Sequence, residues 1–137
     1  MNFAPTRAAL AALSALSALA LALGAALPAH AHGDSHATAP QHGGVLAQAA
    51  DMEYELVAQP GRITLYLSDH GQPAKTEGAS AKLTLLNGSE KTEATLAPAG
   101  AGTLEAQGAF KVAPGTKVVA LVTLPGRKAA NVRFVLK

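Results

Sequence analysis

Residues 62–69 read R-I-T-L-Y-L-S-D, with Ile63, Leu65 and Leu67 alternating against Thr64, Tyr66 and Ser68. Successive side chains of an extended chain point to opposite faces, so this order offers one apolar face and one polar face only as a strand. The same reading extends along the chain because turn residues cut it at short intervals. Residues 53–57 form a strand before Pro60-Gly61. Residues 81–86 and 90–96 flank Asn87-Gly88, a dipeptide suited to the positive φ angles of a tight hairpin. Gly100 and Gly102 precede a short strand at 103–107, which Phe110-Lys111-Val112 extends beyond Gly108. Pro114-Gly115 and Pro125-Gly126 bracket residues 117–124, a β-branched apolar run expected to be central and buried. Residues 131–136 close the series. Seven strands at this spacing predict an all-β fold, an Ig-like antiparallel β-sandwich, with a small Greek-key barrel as the alternative. Phe110, Phe134, Val119 and Tyr66 are expected in its core.

The N-terminal stretch follows a different rule. Arg7 is followed by residues 8–23, which carry no charge and are almost all Ala and Leu. Leu27-Pro28-Ala29-His30-Ala31 then supplies the small residues at alternate positions that a signal peptidase accepts. Residues 1–31 are therefore expected to be a cleaved secretory signal peptide. Residues 32–48, rich in Ala, Gly, Pro and His, are expected to be a His-rich flexible linker, and residues 49–137 the β-sandwich domain. The expected compartment is the periplasm, with a soluble mature protein and no membrane span after signal cleavage.

Composition removes several functions. The whole chain has 11 Lys and Arg against 9 Asp and Glu. The basic residues are scattered, which argues against a nucleic-acid partner. No cysteine is present, so there are no disulfide staples, thiolate ligands or thiol nucleophiles. No serine sits in a nucleophile elbow, and Asp69-His70 has no assignable nucleophile. Glu53 and Glu55 share a strand face, where alternating exposed charge is the ordinary explanation. The chain is not expected to be an enzyme.

Histidine is the residue type that points to chemistry, because neutral imidazole is the commonest metal ligand. His30, His32, His36 and His42 fall close together, and His70 follows a strand end. The tail residues His32 and His36 can wrap an ion without a preset backbone. Cleavage after Ala31 would make His32 N-terminal, pairing its amine with its ring. Cleavage after Ala29 would give His30-Ala31-His32, suited to square-planar Cu(II) or Ni(II). His42 precedes Gly43 and Gly44, which permit close backbone approach or positive φ. Asp69 is a candidate acceptor for an imidazole, or a turn aspartate bonding its own backbone. Met52 is a soft-ligand candidate or a packing residue. The expected metal ligands are His42, His70, His32 and His36. Copper is the leading ion, with zinc, nickel or cobalt as alternatives.

Four segments also carry a family resemblance: His42-Gly43-Gly44, Tyr54-Glu55-Leu56-Val57, the stretch from Leu65 to Pro73 containing Asp69-His70-Gly71, and the later Gly-bounded strands. Together they resemble the small N-terminal domain of periplasmic adaptor subunits in heavy-metal efflux systems. The resemblance covers residues 41–137, without an adaptor hairpin or lipoyl half, so the chain looks like a stand-alone version. It implies binding or delivery of copper, zinc, cobalt or nickel, with metal-efflux proteins as partners. Among the residues, His42 is the one that matches the opening motif. The expected function is thus a periplasmic metal-binding carrier or buffer linked to efflux or resistance. An exported interaction module without a metal site is the alternative.

Overall fold

The computed structural model describes residues 39–137. The expected signal peptide, and the tail residues His32 and His36, lie outside the described residues. Within them the chain is all-β and antiparallel. Its strands are β1 (Val45–Ala49), β2 (Met52–Gln59), β3 (Arg62–Asp69), β4 (Gln72–Pro73), β5 (Ser80–Asn87), β6 (Glu90–Pro98), β7 (Thr103–Gln107), β8 (Lys117–Thr123) and β9 (Ala130–Val135). All seven runs expected from the alternation are strands. Two more exist. The first is β1, within residues read as the end of the linker and the start of the domain. The second is the two-residue β4, in a stretch read only as a turn.

Turn chemistry explains how these strands pair. Ala50 and Asp51 both take positive φ, 50° and 61°, and close the β1–β2 hairpin between Ala49 and Met52. Two consecutive positive φ angles match the right-handed twist of the flanking strands. The β5–β6 turn falls one residue later than the Asn-Gly reading. Asn87 pairs with Glu90, so the loop is Gly88-Ser89, with Gly88 at φ 61°. Glycine at the first loop position is the choice of a type II′ hairpin.

The strands form one continuous sheet in the order β1-β2-β3-β7-β6-β5-β8-β9, with β4 beside β3. β5, β6 and β7 are successive neighbours, and β8 returns to lie against β5, which is a Greek key. β6 joins the two halves. Its first residues pair with β5, while Ala97 and Pro98 pair with Glu105 and Leu104 of β7. The terminal strands β1 and β9 lie side by side, so the sheet is nearly closed into a barrel. The expectation holds as an all-β antiparallel fold, and the continuous, nearly closed sheet is its observed form.

Alternation decides what is inside. Leu56, Ile63, Leu65, Leu83, Leu96, Leu104, Val118, Val132 and Phe134 are almost fully buried. Each such side chain contributes about 1.5–3 kcal/mol relative to exposure. Three core expectations are corrected. Val119 lies on the outer side of β8, because its neighbours Val118 and Ala120 take the inward positions. For the same reason β8 is buried on one face only, and Leu121 is 41% exposed. Tyr66 is also outward-facing, and the buried tyrosine is Tyr54. Phe110 is not in a strand. Its N–H donates to the Pro60 carbonyl at 2.7 Å, and its ring packs against the core from a loop. Among the described residues no helix is long and apolar enough to cross a membrane.

Candidate functional site

Strand β2 places Tyr54 and Leu56 inward, so Glu55 faces outward beside Leu46 of β1 and Tyr66 of β3. An outward carboxylate on a strand is ordinarily solvated. Glu55 is instead only 5% exposed, because the segment leading into β1 folds over it. The N–H groups of His42 and Gly44 donate to its Oε1 at 2.8 and 2.9 Å. The Gln41 N–H donates to Oε2 at 3.0 Å, and His42 Nδ1 lies 2.9 Å from the same oxygen. Three converging amides make a small anion-binding nest.

The two glycines make this wrap possible for different reasons. Gly43 sits at φ 74°, a region that L side chains avoid. At Gly44 a Cβ atom would fall 2.4 Å from the Leu56 carbonyl oxygen and 2.9 Å from a Val57 methyl. Only glycine lets the chain come close enough to β2 to deliver the Gly44 N–H to Glu55.

The carboxylate stays ionised despite its position. Burial alone would raise its pKa. The bonds from the Gly44 N–H, the His42 ring and the N–H groups of His42 and Gln41 outweigh that effect and hold it below the ordinary glutamate value. An ionised carboxylate only accepts hydrogen bonds, so His42 Nδ1 carries the proton facing it. In the neutral ring this leaves a lone pair on Nε2. The ring is further held by Tyr66, stacked at a centroid distance of 3.6 Å and an interplanar angle of 3°. With its side chain 42% exposed, His42 borders a cavity of about 290 Å³ whose walls include Glu53, Tyr66, Ser68 and Thr103.

His70 sits elsewhere. Asp69 pairs with Gln72, so His70-Gly71 is the loop of the β3–β4 hairpin, with φ angles of 50° and 80°. His70 Nδ1 bonds Asp69 Oδ1 at 2.5 Å, and the ring is 86% exposed. Asp69 Oδ2 accepts from Arg127 Nη2 at 2.6 Å, which ties β3 to the β8–β9 turn. His70 first, and then Arg127, hold the Asp69 pKa below its usual range.

The structure does not bring His42 and His70 together. They border separate cavities, and His70 lies four residues beyond the tyrosine on which His42 stacks. Strand geometry makes that roughly 13 Å along the sheet. Had His42 led directly into residues 53–57, it would have lain near the end of the next strand, where His70 sits. The intervening β1 hairpin carries His42 back alongside Leu56 and Val57 instead. Met52 is buried, and its sulfur lies 3.9 Å from the Tyr54 hydroxyl, a packing role. Among the described residues no three His, Asp or Glu side chains converge as a metal-holding group.

Two residues of this cluster escaped the reading of the sequence. Nothing in residues 53–57 distinguishes Glu55 from Glu53. Tyr66 obeys the same alternation as its polar neighbours. What unites them with His42 is contact at long range along the chain: residues 41–44 bond Glu55 from 11–14 positions away, and the His42 ring stacks on Tyr66, through a loop that only glycines permit. The site thus defines an all-β domain that displays an imidazole oriented by a buried carboxylate. Comparison with protein-family models, curated proteins and solved structures found no match, so the assignment rests on this chain's own residues.

Proposed function

We propose that this chain is an exported periplasmic metal-binding protein, a carrier or buffer for copper or a similar divalent transition metal, linked to metal efflux or resistance. The observation that carries the reading is the Glu55–His42 pair. A buried carboxylate bonded to Nδ1 sets the tautomer, orients the ring and makes Nε2 a stronger donor, which is the usual support of a metal-ligating histidine. His42 Nε2 is the folded domain's ligand in this reading. His32 and His36 of the tail supply further nitrogens, since the tail enters the domain at His42. His70, oriented by Asp69, is a separate, weaker donor. A set of imidazole nitrogens suits copper, zinc, nickel or cobalt.

Titration with Cu(II) of the mature protein, its N-terminus read by mass spectrometry, tests this. His42→Ala should weaken binding more than about tenfold, or about 1.4 kcal/mol. Glu55→Gln should weaken it less, by loosening the ring. His70→Ala should bind nearly as the parent does. If deletion of the tail through Ala39 abolishes binding while His42→Ala has no effect, the ion is held by the tail alone. If no form binds, the second reading stands: an exported interaction module.

A further inference from the structure

The wall of the barrel opposite His42 has a different character. In β5, β6, β8 and β9 the fully buried positions are apolar, and the outward ones form rows across the strands. One row reads Lys91, Leu86, Lys117, Val135; the next reads Glu93, Thr84, Val119, Arg133; the third reads Thr95, Lys82, Leu121, Asn131. Cations and aliphatic side chains are therefore interspersed, with Glu93, Thr84, Thr95 and Asn131 between them, over a surface about 14 Å wide, from the spacing of adjacent strands. Leu86, Leu121 and Val135 are the exposed large hydrophobics of the described residues, at 38%, 41% and 54%. All three lie on this wall.

The charge is one-sided. Lys82, Lys91, Lys117 and Arg133 stand against Glu93, and Glu93 is already bound to Lys91 at 3.3 Å. Among the described residues Lys82, Lys117 and Arg133 have no carboxylate within ion-pair distance, unlike Arg62, Lys111 and Arg127. The opposite wall, on β2, β3 and β7, carries Glu53, Glu55 and Glu105 with Arg62. The molecule is thus electrically polarised across the barrel.

We propose that the β5–β8–β9 face docks on an anionic lipid surface, leaving the His42 face toward water. Charge complementarity supports a lipid occupant, since each basic side chain near an anionic bilayer adds attraction that falls off within a Debye length. The shape agrees. None of Lys82, Leu86, Lys117, Leu121, Arg133 or Val135 borders the four main cavities, and the face has no aromatic residue. Tight protein partners seat aromatic or arginine anchors in cavities. A shallow face of lysine stems and aliphatic groups needs no complementary knob, and it suits a fluid surface.

The test is co-sedimentation of the mature protein with vesicles of phosphatidylcholine alone or mixed with phosphatidylglycerol. Binding should require phosphatidylglycerol and weaken as salt rises. The triple variant Lys82→Glu, Lys117→Glu, Arg133→Glu should lose at least about tenfold in affinity. The milder triple change to Gln should lose less, with an unchanged melting curve showing that the fold survives. Lys75→Glu with Lys128→Glu, away from this face, should bind as the parent does. Equal binding to neutral vesicles, no binding to anionic ones, or full binding by both triple variants overturns the proposal. Binding to polyglutamate but not to vesicles assigns the face to an acidic polypeptide and overturns it equally.

Discussion

Glu55 shows how one side chain can hold a loop. Its two oxygens take three backbone N–H groups and one ring nitrogen, all from residues 41–44. Removing it leaves those donors without an acceptor, and hydrogen bonds to a charged group contribute about 1.5–3 kcal/mol each. Glu55→Ala should therefore lower the urea midpoint clearly and free the His42 ring. The pH dependence has a definite sign. Because the folded state holds the Glu55 pKa below its unfolded value, its ionisation stabilises fully above the ordinary glutamate range, near 4.3. That stabilisation is lost as pH falls through the folded value. The stability gap between the parent and Glu55→Gln should accordingly be larger at pH 7 than at pH 3 in parallel denaturation curves. A constant gap would mean that the carboxylate is not held by these bonds. Gly44→Ala should cost about 1–3 kcal/mol, since the added methyl group meets the Leu56 backbone rather than a movable side chain.

At the scale of strands and turns, parity is the controlling variable. Val118 and Val119 are identical neighbours in sequence, yet one is inside and the other outside. Val118→Thr should cost about 1–3 kcal/mol by burying a hydroxyl. Val119→Thr should change stability by less than about 0.5 kcal/mol, as an outward strand position does. Equal losses in the two denaturation midpoints would contradict the register of β8. The His70-Gly71 loop makes a second case. A left-handed residue in a two-residue hairpin favours Asn, so His70→Asn should fold at least as stably as the parent by thermal melting. The Asp69–Arg127 link does not need the imidazole, because Arg127 takes the other carboxylate oxygen.

For the molecule as a whole, the core and the histidine site are separate investments of sequence. The core is built from inward residues of all the long strands, and none of them is a metal-ligand candidate except Met52, which packs. Residues 39–137 should therefore fold without metal. Chelator-treated protein should keep a β-type circular dichroism spectrum and a cooperative melt, unlike small domains whose folding energy is metal binding. Phe134→Ala should cost about 3–5 kcal/mol in the same melts, while Lys128→Ala should change little. A chain unfolded in chelator would instead make the ion part of the core.

By itself the sequence determined the all-β class, the seven long strands and most turns, and it singled out His42 with its two glycines. These follow from period-two alternation and from backbone limits at Gly and Pro, which act over a few residues. It did not reveal β1, whose Val45–Ala49 segment lacks a clean alternation and becomes a strand only by pairing with β2 and lying beside β9. Nor did it separate Glu55 from Glu53, Val118 from Val119, or His42 from His70. Those distinctions belong to tertiary structure. Which of two like residues is buried, and which distant groups meet, depends on register and on how a sheet curls towards closure. Both are set by pairings between residues far apart in the chain.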